Sequence, residues 1–560
     1  MSNPKKKNRK QAPARPAGFS GLIRKNGFAI GLLIAFTFIV YARSLFLGYT
    51  RLDDSIFIVE NAKYNADAGN LVVSFQRGLF NPTKDAYYRP LFLVDFILES
   101  RLFGVKPAGY HFTNLLFHLL SVTLLFLFLR RLKIPPEDAF LLSLLFAVHP
   151  VLTQAVAWIP GRNDLLLMIF FFSSFILLFR YLDRPSVPKL ILHILLLVAA
   201  LFTKETAVII PVIMGGFLLI YGKYGWKKLL VPGAGWIVAL ALFFFVRSKA
   251  TLTNSWVSPS QMMHDGLSRL GVIVQYLGKI FLPVNLTVFP EADQITLAWG
   301  ILAAVLLTGL VIWSKSYRKP LTWLGLAWFL IFLVPVLVVP KSLNDQVFEH
   351  RLYIPIIGIL LMLSQVFPFG ETAGRKLRLA IVLPLALIFS VHTLIRIGYF
   401  DDSITFWTHA VKGSPRSAYA RTLLGTKVTD TTEQLRLFRE ARSLDPHLKN
   451  LNYYLGKVLF DRKQMDSAAW YIRQEVKQNP IPDAYFLLAQ IAFLKNDFDS
   501  AAILLEKVVE LNPTDPQANH NLVLLYWQHG HPEKSKEIIR NMQQRGMEVG
   551  DDLLRMVSGK

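Results

Sequence analysis

Gly27-Phe28-Ala29-Ile30-Gly31-Leu32-Leu33-Ile34-Ala35-Phe36-Thr37-Phe38-Ile39-Val40-Tyr41-Ala42-Arg43-Ser44-Leu45-Phe46-Leu47-Gly48 is the stretch that decides the fold class. Coiled as a helix, it is long enough to cross about 30 Å of hydrocarbon, and it outruns the apolar core of a typical signal peptide. It reads as an uncleaved first membrane span. The residues before it, 1–26, hold Lys5-Lys6-Lys7, Arg9-Lys10, Arg15 and Arg24-Lys25 among several prolines, the pattern of a disordered basic tail kept on the cytoplasmic side.

Further apolar segments follow at 111–129, 138–158, 164–182, 189–203, 205–222, 229–246, 296–314, 320–340, 351–368 and 378–398, giving about eleven transmembrane helices over residues 27–399. Whole-chain composition agrees: 53% of residues are hydrophobic, only 18% are charged, and mean hydropathy is +0.39. Net charge is +23, but the lysines and arginines gather in short loops between apolar segments, which points to membrane orientation rather than nucleic acid. Arg130-Arg131-Lys133, Arg180 with Arg184 and Lys189, Lys223 with Lys227-Lys228, Lys315-Arg318-Lys319 and Arg375-Lys376-Arg378 then share the side of the N-terminus. A short segment at 267–282 carries Arg269 and Lys279 and reads as interfacial or re-entrant. With no cysteine, disulfides, thiolate nucleophiles and Cys-ligated metals are excluded.

From about residue 400 to 560 the composition turns soluble and a repeat emerges. Asp445-Pro446, Asn479-Pro480 and Asn512-Pro513 recur at spacings of 34 and 33, as Asp466-Ser467-Ala468-Ala469 and Asp499-Ser500-Ala501-Ala502 do at 33. This is the tetratricopeptide signature, an α-solenoid of three to four helix pairs over 416–549, with Leu424-Gly425 too close to Pro446 for a regular first unit.

The outer loops of that topology hold nearly all the unusual polar residues. Asp53-Asp54, in the long 48–110 loop, is either a solvated pair or a tuned acid, since adjacent carboxylates discourage simultaneous ionisation. Leu91–Leu98 reads as an amphipathic helix along the membrane, and Tyr87-Tyr88-Arg89-Pro90 before it as an aromatic belt or a phosphate clamp. His111, Asn114 and His118 share one helix face, as ligands or as interhelical hydrogen bonders. The run from His149 to Leu166, HPVLTQAVAWIPGRNDLL, presents Gln154, Trp158, Arg162 and Asp164 around a proline and a glycine. Lys204-Glu205 is an ion pair or a hairpin tip, and Glu349-His350-Arg351-Leu352-Tyr353 places a cation, a titratable ring and a phenol at the outer end of a span.

Taken together, LDD after the first span, YYRPL, HxxNxxxH, the HPV…GRND run, FxKExA and ExxLYxP, followed by the repeats, resemble the transmembrane and tetratricopeptide-repeat O-mannosyltransferases and their bacterial relatives. The resemblance covers nearly the whole chain. It implies an all-α, GT-C-like bundle that takes a sugar, mannose or another hexose, from a polyprenyl phosphate within the membrane. It also implies Asp53 or Asp54 as the catalytic aspartate. Donor phosphate binding then falls to Arg89, Arg162, Lys204, His350 and Arg351. Supporting positions are Tyr88, His111, Asn114, His118, His149, Gln154, Trp158, Asp164, Glu205, Glu349 and Tyr353. Many relatives have His-Thr-Glu where this chain has Leu152-Thr153-Gln154, and Glu-Arg where it has Glu349-His350. Gln154 therefore supplies no carboxylate, and the arginine stands one place later.

The expected reaction is an inverting transfer to a protein hydroxyl presented by the repeats. A divalent metal (Mg²⁺ or Mn²⁺) is left open as a cofactor, because no complete ligand set is visible. The alternatives are transfer of a sugar or lipid-linked glycan to a glycolipid or envelope polymer, and a non-catalytic scaffold that recruits partners. A bacterial inner membrane, with site and repeats toward the periplasm, is the expected location.

Overall fold

The computed structural model describes residues 25–80, 87–222, 224–251, 258–294, 296–339, 345–366 and 372–558. Most of the basic tail, Lys223 and loop residues 341–344 lie outside them. The described residues are helical apart from loops and one isolated bridge between Glu291 and Gln346. They form two compact units, residues 1–413 and 414–560.

Every apolar segment of the first unit is a helix. Among the described residues six are long and apolar enough to cross a membrane, and a seventh is added if Pro136–Ala147 and Pro150–Ala157, bent by 51°, form one span. Val187–Thr203, Glu205–Ile220, Ala298–Trp313 and Pro355–Val366 are shorter apolar helices. The bend follows from Pro150, which lacks an N–H and pushes His149 to extended backbone (φ −68°, ψ 123°). The interior is aromatic: Trp328 packs its ring 5.2 Å from Phe171 and 5.3 Å from Phe332, and Phe128 lies 4.8 Å from Phe172. Gly325 and Gly358 let two helices touch backbone to backbone, since a Cβ at either would lie 2.5 or 2.3 Å from the other's carbonyl oxygen. Outward side chains such as Ile237, Val238, Val305 and Ile388 stay exposed, as a lipid-facing surface requires.

The amphipathic helix expected in the long loop is Pro90–Phe103, begun by a proline at its first turn and ended by Gly104 at φ 59°. It buries Phe92, Leu93, Phe96 and Ile97 on one face. The short segment at 267–282 holds the helix Leu270–Phe281. Its charges point into protein: Arg269 bonds Val339 O and Asp345, and Lys279 pairs with Glu349 at 2.7 Å.

In the second unit four antiparallel helix pairs run from Ala418–Gly425 with Thr431–Leu444 to Pro516–Gln528 with Pro532–Gln544. The first helix has only 8 residues, which accounts for the irregular first repeat. Gly456 fits because a Cβ there would meet Ile472 Cγ1 at 2.3 Å, so the two helices of its pair approach closely. Asp430, Asp497 and Asp515 cap helices by accepting from backbone N–H groups.

Candidate functional site

The two neighbouring aspartates are used differently by the backbone. After the first span Arg51 takes a left-handed conformation (φ 54°), turning the chain so that Asp54 folds back under it. Asp54 Oδ2 accepts from Thr50 N at 2.6 Å and Thr50 Oγ1 at 3.0 Å, and Oδ1 accepts from Ser55 N at 2.9 Å. Asp54 is thus a buried staple of the turn. Asp53 instead lines a cavity of about 630 Å³, and among the described residues its carboxylate has no hydrogen-bond or ion-pair partner. Burial, then the nearby Asp54, push its pKa up to about 7, against the pull of Arg89.

Four cationic side chains line the same cavity: Arg89, Lys204, Arg247 and Arg351. Arg89 donates to Glu205 Oε2 at 2.9 Å while Tyr88 N donates to Oε1 at 2.8 Å, fastening the long loop to the start of the apolar helix Glu205–Ile220. Lys204 Nζ donates to Asp164 Oδ1 at 2.6 Å, yet burial still lowers its pKa to about 8. Arg351 donates to Gln346 O at 2.8 Å and sits over the Phe348 ring at 5.8 Å, with no carboxylate partner among the described residues. His350 is buried beside it, its pKa held well below the usual value by burial and by Lys204 and Arg351.

Arg162, expected at the phosphate, is not among the cavity-lining residues. Its guanidinium is fully buried and satisfied, pairing with Asp95 at 2.8 Å and Glu99 at 2.5 Å, and donating to Asn114 Oδ1 and Tyr110 O. It clamps the helix Pro90–Phe103 to the bundle instead of waiting for an anion. Gln154 is likewise away from the cavity lining: its amide donates to Val288 O at 2.9 Å, and its carbonyl accepts from the backbone of Glu349 and His350. Glu349 is buried between Lys279 and Arg396, and His149 donates to Ile280 O at 2.9 Å.

The HxxNxxxH row turns out to be a set of braces. His111 Nε2 lies 3.3 Å from Gly48 O, just before the aspartate loop. Asn114 donates to Val156 O and Trp158 O, and His118 accepts from Tyr353 OH at 2.7 Å while donating to Ala147 O at 2.9 Å. One helix face therefore registers the three loops that carry Asp53, Trp158 with Asp164, and His350 with Arg351. None of the three polar residues, nor Tyr353, lines the cavity.

Sequence reasoning missed Arg247 and Asn163, both cavity-lining, and the Asp95 and Glu99 partners of Arg162. Arg247 was findable as a cation closing an apolar segment, and the two acids as an i,i+4 pair on an otherwise apolar helix. No group of three His, Asp or Glu residues is disposed to hold a metal among the described residues. Of the cavity's acids, Asp164 and Glu205 are each committed to a cation.

An apolar helical bundle with an acid-and-cation cavity, joined to a tetratricopeptide solenoid, defines a class of multi-pass membrane protein. Residues 91–248 match the family model of dolichyl-phosphate-mannose-protein mannosyltransferases, and 482–515 match a tetratricopeptide repeat. The chain is 31% identical over 198 residues to the fruit fly protein O-mannosyl-transferase Tmtc1, covering 35% of this chain and 23% of that protein. It is 34% identical over 152 residues to human TMTC3, covering 26% and 16%, and 24% identical over 476 residues to human TMTC4, covering 72% and 64%. The chain thus spans less than a quarter of the length of the first of these relatives and nearly two thirds of TMTC4. Among solved structures, ArnT from Cupriavidus metallidurans bound to undecaprenyl phosphate aligns over 86% of this chain and 80% of that one, at 13% identity and a TM-score of 0.41. The chain is thus similar, over these stretches, to the transmembrane and tetratricopeptide-repeat O-mannosyltransferases, the family its motifs resemble.

Proposed function

We propose that this chain transfers a hexose, mannose by kinship, from a polyprenyl phosphate to a hydroxyl of a protein acceptor, with Asp53 as general base. The observation that carries the reading is the Asp53 carboxylate, without a partner among the described residues, lining a cavity that four cations also line. Asp53 takes the proton of the acceptor hydroxyl; its oxygen attacks the anomeric carbon; the bond from that carbon to the phosphate oxygen breaks, and its electron pair leaves on the lipid phosphate. Attack opposite the leaving group inverts the anomeric centre. The growing phosphate charge is met by Arg351 first, with Arg89, Lys204 and Arg247 supplying a positive wall in a water-poor site. Apolar lining residues such as Val334, Val336 and Val338 suit the lipid's first isoprene units.

The repeats bind the protein acceptor, and in a bacterium the transfer takes place on the periplasmic side of the inner membrane. Purified protein in lipid discs, given polyprenyl-phosphate sugars and an acceptor peptide with and without chelator, tests this. A glycopeptide product is expected. Sugar recovered only on lipid, or no turnover with any donor, would reject it, and the chelator arm reports metal dependence.

A further inference from the structure

Four cavity-lining side chains keep a buried polar atom without a hydrogen-bond partner among the described residues: Trp158 Nε1, Asn163 Oδ1, Asp164 Oδ2 and His350 Nδ1. Their residues are 4%, 5%, 5% and 6% exposed. Buried polar groups are almost always satisfied, so four orphans along one cavity mark places where a ligand completes the bonding. Each is held by a second contact that fixes its direction. Asn163 Nδ2 donates to Pro160 O at 2.8 Å, Asp164 Oδ1 is taken by Lys204, and Trp158 stacks on Phe348 with ring centroids 5.7 Å apart and lies 5.4 Å from the His350 ring. These atoms are clustered by the turn Trp158–Asp164 and by the Trp158–His350 contact.

We infer that Trp158, Asn163, Asp164 and His350 form the subsite for the hexose ring of the donor, an inference that rests on the glycosyl-transfer reading above. The chemistry suits a neutral polyol. Asn163 Oδ1 and Asp164 Oδ2 accept only, so each takes a sugar hydroxyl proton; Trp158 Nε1 donates only, so it meets a hydroxyl oxygen; the Trp158 and Phe348 rings offer a flat apolar wall. The acceptor-rich pattern disfavours a sugar carrying a carboxylate. Lys204 ties the subsite to the phosphate wall through Asp164, so sugar and phosphate would be gripped by adjoining groups.

The test uses the full-length protein in lipid discs without acceptor. Affinity is measured for decaprenyl phosphate and for decaprenyl-phosphate carrying mannose, glucose or glucuronic acid. The wild type is expected to bind at least one neutral hexosyl lipid about tenfold tighter than the bare lipid phosphate, the gain from completing two or more buried hydrogen bonds. It is expected to show no such gain with glucuronic acid. W158F, which keeps the ring wall and loses only the donor, and N163L should bring the ratio of hexosyl to bare lipid affinity toward one. Their unfolding temperatures are measured in parallel, and a lowered one is answered by N163D, which keeps the acceptor and should keep the ratio. A ratio near one in the wild type, a preference for glucuronic acid, or an unchanged ratio in both variants overturns the subsite while leaving the phosphate site standing. No binding of bare lipid phosphate at all removes the underlying reading instead.

Discussion

Replacing Asp53 with Asn removes a proton acceptor while keeping its volume, and among the described residues nothing bonds the carboxylate, so the fold should not notice the change. Turnover is expected to drop by about 10²–10⁴-fold, the worth of a positioned general base, with an unaltered unfolding temperature. Asp54→Asn should do the reverse in kind. Its amide cannot accept from Thr50 N and Ser55 N at once, so one buried donor is orphaned at a cost of about 1–3 kcal/mol, seen as a lowered unfolding temperature with partial activity. Equal activity loss without instability in both variants would sink the assignment. Because Asp53 is raised to about 7, it is protonated and inert as a base below that pH and competent above it. The kcat/KM profile should therefore climb through about pH 7 and level off above. A profile flat from pH 5.5 to 8.5 would argue against Asp53. That an acid pair stood here was legible in the sequence, but which one faced the cavity was not. Adjacency carries no direction, and the turn at Arg51 that swings Asp54 inward is made by a residue type rarely found in that conformation.

At the scale of the element, Arg162 joins the loop helix Pro90–Phe103 to the span Arg162–Asp183 through two carboxylates. Removing a buried cation strands its partners, so Arg162→Gln is expected to cost about 3–5 kcal/mol and to lower the yield of folded protein. Neutralising the stranded acids as well, in an R162Q/D95N/E99Q triple variant, should recover part of the loss. Thermal unfolding in detergent checks both, and a single variant as stable as wild type would refute the clamp. The helix itself was readable from its apolar run, and the six helices long enough to cross a membrane from their length and hydropathy. The clamp was hidden because Asp95 and Glu99, four residues apart, look like the solvated side of an amphipathic helix until the partner arginine is seen beneath them. The same blindness assigned His111, Asn114 and His118 ambiguously: a polar row on an apolar helix signals an interior face, and only tertiary contacts reveal that it braces loops.

For the whole molecule, the division at Gly413 separates a lipid-facing bundle from a solenoid with hydrophobic clusters of its own, one built on Leu455, Ile472 and Leu488, another on Ala501, Leu505 and Leu522. The chemistry assigned above uses residues of the first unit alone. A chain ending at Gly413 should therefore still glycosylate a short hydroxyl-bearing peptide at a rate within a few-fold of the full chain, while its KM for a folded or extended protein acceptor rises by about tenfold or more, the loss of a second binding contact. Gly456→Leu in the full chain provides an independent route to the same end. The side chain would collide with Ile472 and wedge one helix pair apart, and because repeat stability is passed between neighbours, the damage should spread along the solenoid without reaching the bundle. Circular dichroism should then show loss of the solenoid's transition, and assays should show the short peptide processed as before. If either change abolishes transfer to the short peptide, the repeats take part in catalysis itself, and acceptor presentation is the wrong role for them.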